Sequence, residues 1–225
     1  MASSYGNHDA SVCALFFTAI SLALAGEEER ARTMADSALA VARSLDDPLS
    51  LALTLWISSA MRQVLGDVAL AVQHAEASRQ LSAEHGFPAV RAWSTSVVGW
   101  CAAERGDSDR GIALLTDTIA ELQAMQSRQF MSYLLGLLGG VHMKAGHHDE
   151  AMKAVKEGMA LADATGERFY SAELHRLHGE LLAQTTIGEC KEAEAAFSTA
   201  ITIAKQQGAL LLERRALESL QRRAD

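Results

Sequence analysis

Prolines and aromatic side chains are scarce in this sequence, which has two prolines in 225 residues and 5% aromatic residues. The three cysteines, Cys13, Cys101 and Cys190, lie far apart without a C-x-x-C pair, which is typical of a reducing compartment. Basic residues form no block and the formal net charge is −8, so a phosphate-binding surface is not expected. The apolar run at 12–25 is too short to span a membrane, and no basic stretch precedes it. We therefore expect a cytoplasmic protein that binds neither nucleic acid nor membrane.

Residues that favour helices dominate the composition. Apolar residues make up 49% of the chain, which allows a sizeable core and excludes wholesale disorder. Alanine, leucine, glutamate and arginine dominate, and all four favour helices. No stretch shows the β-branched alternation of a strand over more than a few residues. The composition therefore predicts an all-α protein.

Glycines recur at a nearly constant spacing, which indicates an internal repeat. Four of them are forty residues apart, and a fifth follows after forty-two. Pro48 and Pro88 each stand eighteen residues before one of these glycines. Proline suits the first position of a helix, and glycine ends a helix by entering the left-handed conformation. The pattern predicts one helical hairpin per repeat, with turns at Gly26, Gly66, Gly106, Gly146 and Gly188.

Small residues recur at fixed positions in each repeat, which predicts a close contact with a neighbouring helix. They stand five and twelve residues after each turn glycine, and this spacing of two helical turns places each pair on one stripe. A neighbouring helix can approach such a stripe closely. The stripe residues are Ala31, Ala71, Gly111, Ala151 and Ala193 at the first position and Ala38, Ser78, Thr118, Gly158 and Ala200 at the second.

The period predicts the boundaries of the fold. We expect a disordered or vector-derived N-terminus at 1–7 and a single repeat domain over 8–225. Eleven helices are predicted at 8–25, 27–45, 48–65, 67–85, 88–105, 107–126, 128–145, 148–165, 168–185, 189–207 and 209–223. They form five hairpins over 8–45, 48–85, 88–126, 128–165 and 168–207, and the helix at 209–223 caps the stack. The expected architecture is an α-solenoid, a right-handed superhelix of helical hairpins.

The chain resembles the tetratricopeptide repeat. The likeness rests on the paired small positions and on Ala193-x3-Phe197 in the last hairpin. The period of forty is longer than the usual unit, so the resemblance is to an extended variety. Two stretches, Tyr5–Gly26 and Ala164–Gln184, are similar to the C-terminal helical repeats of bacterial signalling proteins that carry an adenylate/guanylate cyclase and a STAND-type ATPase module. The resemblance implies the regulatory C-terminal part of such a protein.

No pattern in the sequence predicts catalysis, a cofactor or a metal site. His147 and His148 follow a turn glycine where other hairpins carry acidic or polar residues, so we interpret them as solvated turn residues. His175 and His178 lie three apart on one helix, yet no third ligand is evident. Cys101 lies among apolar neighbours inside a helix, which is a poor setting for a reactive thiolate. We therefore expect a protein that is not an enzyme.

The concave face of the predicted solenoid is the candidate binding site. In tetratricopeptide-like stacks the first helix of each hairpin lines this face. All three tryptophans fall on it, and aromatic rings are effective anchors for a partner. The alternative is that a tight superhelix buries these rings as core. The predicted groove residues are Phe16, Ile20, Trp56, Gln63, Trp93, Ser96, Trp100, Tyr133, Met143, Glu173, Arg176 and Glu180.

These observations predict a non-catalytic protein-interaction or sensor module. Its partner would be a peptide or a protein segment, including other domains of its own parent chain. Two alternatives stay open. One is a small-molecule sensor with a pocket lined by tryptophan, and the other is a self-association scaffold that forms a homodimer.

Overall fold

The computed structural model describes residues 9–185 and 191–224, which form eleven α-helices and no strand. The all-α prediction is confirmed. In these two ranges no helix is both long enough and apolar enough to cross a membrane. The N-terminal segment 1–7, the turn at Gly188 and Cys190 lie outside the described residues. The helices are α1 (Ala10–Leu24), α2 (Glu28–Ser44), α3 (Pro48–Leu65), α4 (Val68–His85), α5 (Pro88–Glu104), α6 (Ser108–Ala124), α7 (Met131–Lys144), α8 (His148–Thr165), α9 (Ser171–Thr185), α10 (Lys191–Gln207) and α11 (Leu210–Ala224).

The chain divides into two compact units, Met1–Cys101 and Ala102–Asp225, called here the N-terminal unit and the C-terminal unit. In the N-terminal unit α1 packs against α2 and α3 packs against α4, while α3 also contacts α1 and α2. In the C-terminal unit α7 packs against α8 and α9 packs against α10. Helix α6 contacts α7, α8 contacts α9, and α11 packs on both α9 and α10. Hairpins are therefore the packing element within each unit, as the spacing predicts.

Glycine follows the first helix at four of the five predicted turns, with a positive φ at Gly26, Gly66, Gly106 and Gly146. Gly66 ends α3 with a φ of 79°, a conformation that a side chain would strain. The amide of Asp67 donates a hydrogen bond to the carbonyl of Arg62 at 2.9 Å, which closes the turn. The Asp67 carboxylate then accepts a hydrogen bond from the amide of Leu70 at 3.2 Å and caps α4. The turn therefore ends one helix and begins the next within two residues.

The predicted stripe of small residues forms the contact between the two helices of a hairpin. All ten stripe residues are buried. Ser78 donates a hydrogen bond to the carbonyl of Ala52 at 2.7 Å, which joins α4 to α3. At the corresponding point of α8, a Cβ on Gly158 would come within 3.3 Å of both the Ser132 carbonyl oxygen and the Leu135 Cβ. The small side chains thus allow the helices to approach closely.

Helix α7 begins at Met131, three residues later than predicted. Where α3 and α5 begin with proline, the sequence has Arg128, so no proline sets the helix start. Phe130 instead takes the left-handed conformation with a φ of 59°. The carboxylate of Glu167 accepts hydrogen bonds from the amides of Phe130 at 2.7 Å and Ser132 at 3.2 Å. A residue of the loop between α8 and α9 therefore caps α7. Helix α9 also begins three residues late, at Ser171.

Helix α11 buries one face on the preceding hairpin and exposes another. On α7, the positions that meet α8 include Ser132 and Gly139. In the repeat, Arg214 and Gln221 occupy the equivalent positions on α11, and both are exposed. These long side chains replace the small residues that a partner helix requires. The whole exposed stripe of α11 is Leu210, Arg214, Leu217 and Gln221.

Candidate functional site

The predicted groove positions of the N-terminal unit lie on α1, α3 and α5. Trp56 on α3 and Trp93 on α5 pack against each other, with ring centroids 4.8 Å apart and an interplanar angle of 32°. Their exposed fractions are 3% and 1%. Trp100 lies two turns further along α5 and is half-buried. The two buried indoles thus form the contact between successive first helices, and the third remains partly accessible.

The other predicted groove residues of this unit are buried. Phe16 and Ile20 on α1 are both buried, while the neighbouring Phe17 is 48% exposed. Gln63 is buried near the end of α3. The Ser96 hydroxyl donates a hydrogen bond to the carbonyl of Trp93 at 2.6 Å, so it is already engaged within its own helix. These positions shape the face rather than project from it.

In the C-terminal unit, aromatic rings join α7 to the segment that leads into α9. Tyr133 on α7 is 1% exposed and meets Tyr170 edge-on, with ring centroids 5.0 Å apart. The centroid of the Phe169 ring lies 5.6 Å from that of the Tyr133 ring. A Cβ on Gly136 would come 2.7 Å from the Tyr170 ring, so glycine provides the space for this contact. Met143, the residue before the last one of α7, is half-buried.

A network of charged side chains occupies the predicted groove positions on α9. Arg176 donates from Nη2 and Nε to the two carboxylate oxygens of Glu173, at 2.7 and 3.0 Å. Its Nη1 donates to Glu180 at 3.2 Å and to the Ser219 hydroxyl of α11 at 3.3 Å. Ser219 donates to Glu180 at 2.6 Å, and Arg222 donates to Glu180 at 2.8 Å. Helix α11 therefore completes the network.

The surroundings of Glu173 and Arg176 keep both side chains charged. Burial by itself would raise the pKa of Glu173, but the charge and hydrogen bonds of Arg176 bring that pKa below its ordinary value. Burial would likewise lower the pKa of Arg176, and the charges of Glu173 and Glu180 raise it instead. A bidentate arginine–carboxylate pair of this kind is strong and has a fixed geometry. The network thus holds Arg176 in one orientation.

Eight of the twelve predicted groove residues are buried and four are half-buried. The burial has a physical cause. The periodicity that places these residues on one side of the first helix of each hairpin also places them against the first helix of the next hairpin. Their contact with a ligand stays a prediction. The four that a partner could reach are Trp100, Met143, Arg176 and Glu180. We call the twelve residues together the first-helix face.

The histidines singled out in the sequence are not among these twelve residues. His147 and His148 are exposed at the turn that begins α8. His175 and His178 are half-buried on α9, and burial lowers the pKa of each. In the part of the chain that the structure describes, no three histidine, cysteine or acidic side chains come together as metal ligands.

A cavity of about 330 Å³ in the C-terminal unit was not predicted from the sequence. It lies between α6, α7 and α8, and none of its lining residues belongs to the first-helix face. A comparison of residues eighty positions apart could have indicated it, since His142 replaces the longer Arg62 of the equivalent hairpin.

One curated relative matches almost the whole chain, whereas no family model matches it. An uncharacterized protein of Rhizobium meliloti (strain 1021) is 27% identical over 217 residues, which cover 96% of this chain and 21% of that protein. The chain therefore spans about a fifth of the length of the curated relative that it matches.

Several solved structures share the fold. The apo form of RapI matches with a TM-score of 0.63 and 18% identity, over 98% of this chain and 87% of that one. PlcR of Bacillus thuringiensis, in complex with the peptide PapR7 and DNA, matches with a TM-score of 0.69 and 12% identity, over 93% and 74%. Aspartyl phosphate phosphatase F of Bacillus subtilis matches with a TM-score of 0.61 and 16% identity, over 95% and 59%. The predicted tetratricopeptide-like helical repeat fold is confirmed.

Proposed function

We propose that this chain is a non-catalytic protein-interaction module that binds a peptide or a protein segment on its first-helix face. The observation that carries the proposal is the half-buried Trp100, which stands two turns along α5 from the buried Trp93. Stacks of helical hairpins commonly bind their partners along the first helices. A partly exposed indole on one of these helices can anchor such a partner.

In the N-terminal unit the anchor is apolar. An indole ring removes a large apolar area from water and loses little rotamer freedom when a partner covers it. The packed pair of Trp56 and Trp93 fixes the helices that carry the face. A partner side chain would therefore meet a surface that is already formed. The same packing makes a ligand pocket between these two rings a weaker candidate than a binding surface.

In the C-terminal unit the accessible groups are polar. Arg176 and Glu180 are half-buried, and their partners hold them in place. Because the charges within the network balance one another, this surface suits the polar backbone of a peptide rather than a strongly charged segment. A preorganised group loses less entropy on binding than a mobile one. Met143 adds a flexible apolar contact on α7.

The parent chain is part of the proposal. We infer a regulatory segment of a larger bacterial signalling protein that contains a cyclase or an ATPase, with neighbouring domains of that protein among its partners. The support is the sequence resemblance of Tyr5–Gly26 and Ala164–Gln184, together with a relative about five times longer than the aligned region. Binding at the first-helix face would then shift the neighbouring domains between states that differ in affinity for the partner.

The test is a selection of random peptides displayed on phage, followed by fluorescence anisotropy of the enriched peptides. Trp100→Ala should raise the dissociation constant by about 30-fold for peptides that use the anchor. Phe17→Ala is the matched control, because Phe17 is a more exposed aromatic residue of the same unit outside the face. For the C-terminal unit Met143→Ala is paired with Met125→Ala, whose side chain is 37% exposed after α6. Each control should change binding less than threefold, a difference of about 0.6 kcal/mol.

Far-ultraviolet circular dichroism checks that each variant remains folded. The proposal is wrong if no peptide is enriched, or if enriched peptides bind both face variants as tightly as the unsubstituted chain.

A further inference from the structure

Helix α1 exposes a stripe of residues that the later hairpins bury. The stripe consists of Ala10, Ala14, Phe17 and Ser21, whose spacing places them on one side of the helix. All four are exposed, and the exposed fraction of Phe17 is 48%. The hydroxyl of the neighbouring Thr18 donates a hydrogen bond to the carbonyl of Ala14 at 2.7 Å, so it is engaged within its own helix. We call these four residues the α1 stripe.

The equivalent positions on α3, α5, α7 and α9 are contact positions between hairpins. Helix α3 contacts both helices of the preceding hairpin, α1 and α2. Residues 40, 80, 120 and 160 positions after Ala14, Phe17 and Ser21 are all buried, and α1 alone among these first helices exposes this set. The buried equivalents are Thr54, Ile57 and Met61 on α3, Ser94, Val97 and Cys101 on α5, Leu134, Leu137 and Val141 on α7, and Leu174, Leu177 and Leu181 on α9.

A cavity of about 280 Å³ on the surface of α1 and α2 is one half of a groove between hairpins. Five of the six residues that line it have equivalents, 120 positions later, in the lining of the cavity between α6, α7 and α8. There α6, the second helix of the preceding hairpin, forms the opposite wall. Here α1 and α2 supply the whole lining. The lining residues are Leu22, Glu29, Arg30, Thr33, Met34 and Ser37. The α1 stripe and this cavity therefore both fit a pair of helices.

The charge of α1 suits a second copy of this chain as the source of that pair. Helix α1 contains no aspartate, glutamate, lysine or arginine, whereas each of the other ten helices contains at least one. Two copies can thus bring their α1 helices together without opposing or burying charges, although each carries a formal net charge of −8. The exposed stripe of α11 instead contains Arg214, so two α11 helices facing each other would bring like charges together.

The sizes of the side chains in the α1 stripe suit a two-fold contact. Phe17 is the only large side chain of the stripe, and the small Ala14 and Ser21 stand about one turn to either side of it. In an antiparallel pair of α1 helices, a two-fold axis that places Phe17 beside a small residue of the second copy makes the reciprocal contact as well. Small residues at the crossing allow the two helices to approach closely. Helix α2 then faces α2 of the second copy, and the two cavities close on each other.

The size of this surface predicts a weak dimer. Helix α1 has 15 residues, which is about 22 Å of length, and two helices side by side are about 20 Å wide. The contact would therefore cover about 450 Å² on each copy, or about 900 Å² in total. Stable complexes bury about 1,200–2,000 Å², and smaller areas are typical of transient ones. We expect a dissociation constant of about 10–100 µM.

We propose that two copies of this chain associate about a two-fold axis through the α1 stripe and the exposed side of α2. Phe17 of each copy packs on α1 of the other. None of these residues belongs to the first-helix face, so the association does not depend on the proposed peptide binding. Peptide titrations at about 1 µM lie well below the expected dissociation constant, so Phe17→Ala compares monomers in that experiment.

The test is sedimentation velocity of the whole chain between about 1 and 300 µM. The data should fit a monomer–dimer equilibrium with the dissociation constant given above and no larger species. Phe17→Ala should raise this constant at least about tenfold. Ala14→Gln should have a similar effect, because a long side chain prevents the close approach while it still favours the helix. Leu217→Ala is the matched control, since Leu217 is an exposed apolar residue of α11, and it should change the constant less than about threefold.

A second measurement locates the contact. Amide chemical shifts that change on dilution should lie in α1 and α2, and circular dichroism checks that each variant is folded. A chain that stays monomeric at about 300 µM would overturn the proposal and leave this surface to a hairpin of a longer parent chain. Assemblies that keep growing with concentration, or that Leu217→Ala disperses and Phe17→Ala does not, would overturn it as well, because they indicate a head-to-tail contact.

Discussion

Gly139 on α7 provides the most direct test of the close helix packing. A Cβ on this residue would come 2.5 Å from Cγ2 of Val155 on α8 and 3.4 Å from the carbonyl oxygen of Ala151. Gly140, the next residue on the same helix, has open space around the equivalent position. The two glycines are neighbours on one helix, and they differ in the space that an added Cβ would find. We expect Gly139→Ala and Gly140→Ala to change stability in opposite directions.

The magnitude follows from two competing effects. Replacing glycine by alanine inside a helix stabilises it by about 1 kcal/mol, and Gly140→Ala should show this gain. An extra methyl group in a packed interface costs about 1–3 kcal/mol. Val155 is fully buried and has a single preferred rotamer in a helix, so it cannot move aside easily. The cost should therefore lie in the upper part of this range, about 2–3 kcal/mol, and after the helix gain of about 1 kcal/mol Gly139→Ala should lower the free energy of unfolding by about 1–2 kcal/mol.

Urea unfolding followed by circular dichroism measures both variants, and the midpoints should shift in opposite directions at an unchanged slope. In a Val155→Ala background the obstructing methyl group is absent, so Gly139→Ala should become stabilising there. A double-mutant cycle then gives the coupling between the two positions. If Gly139→Ala and Gly140→Ala stabilise the protein equally, the inference that α8 obstructs a side chain at position 139 is wrong.

Three further predictions concern charged and titrating groups. Arg62→Met should lower the free energy of unfolding in urea by about 1–2 kcal/mol, because it leaves two partly solvated aspartates without their common partner. An unchanged unfolding midpoint would contradict the ion pairs. Burial, and then the charge of Arg62, lowers the pKa of His74 below its ordinary value of 6.5. The stabilisation that comes from the neutral His74 ring is therefore present above pH 6.5, and it is lost as the pH falls towards the pKa of His74 in the folded protein. His74→Gln should therefore flatten the decrease in melting temperature between about pH 7 and pH 5, and an identical pH profile would refute this. Burial alone would raise the pKa of Glu173, but Arg176 lowers it below 4.5. Glu173→Gln should therefore lower the free energy of unfolding by about 2–4 kcal/mol at neutral pH, and this loss should shrink as the pH falls below 4.5. A loss that stays constant with pH would contradict the paired carboxylate.

The helices were predictable where local chemistry determines them. The turn at Gly66 and the helix start at Pro48 are properties of single residues, so spacing alone locates them. The late start of α7 could not be predicted, because its cap comes from Glu167, which lies 37 residues after Phe130. Gly86 and Gly166 end second helices with φ values of 72° and 74°. Their spacing of eighty residues is a signal that the forty-residue pattern obscured.

The first-helix face was predictable as a set of positions, but its exposure was not. Periodicity shows that Trp56 and Trp93 point in the same direction from their helices. It does not show how closely those helices approach, since that depends on the side chains across the contact. The two indoles fill the space between α3 and α5, whereas Trp100 remains partly accessible. The cavity beside His142 depends on the volumes of side chains from three helices, which hydrophobic spacing does not report.

The exposed stripe of α11 has a consequence for engineering longer arrays. An idealised hairpin fused after this helix would meet Arg214 and Gln221 where it needs small side chains. Changing these two residues to alanine and serine would supply the small side chains and make α11 an acceptor for added modules. The same two positions therefore decide whether the scaffold can be lengthened by concatenation.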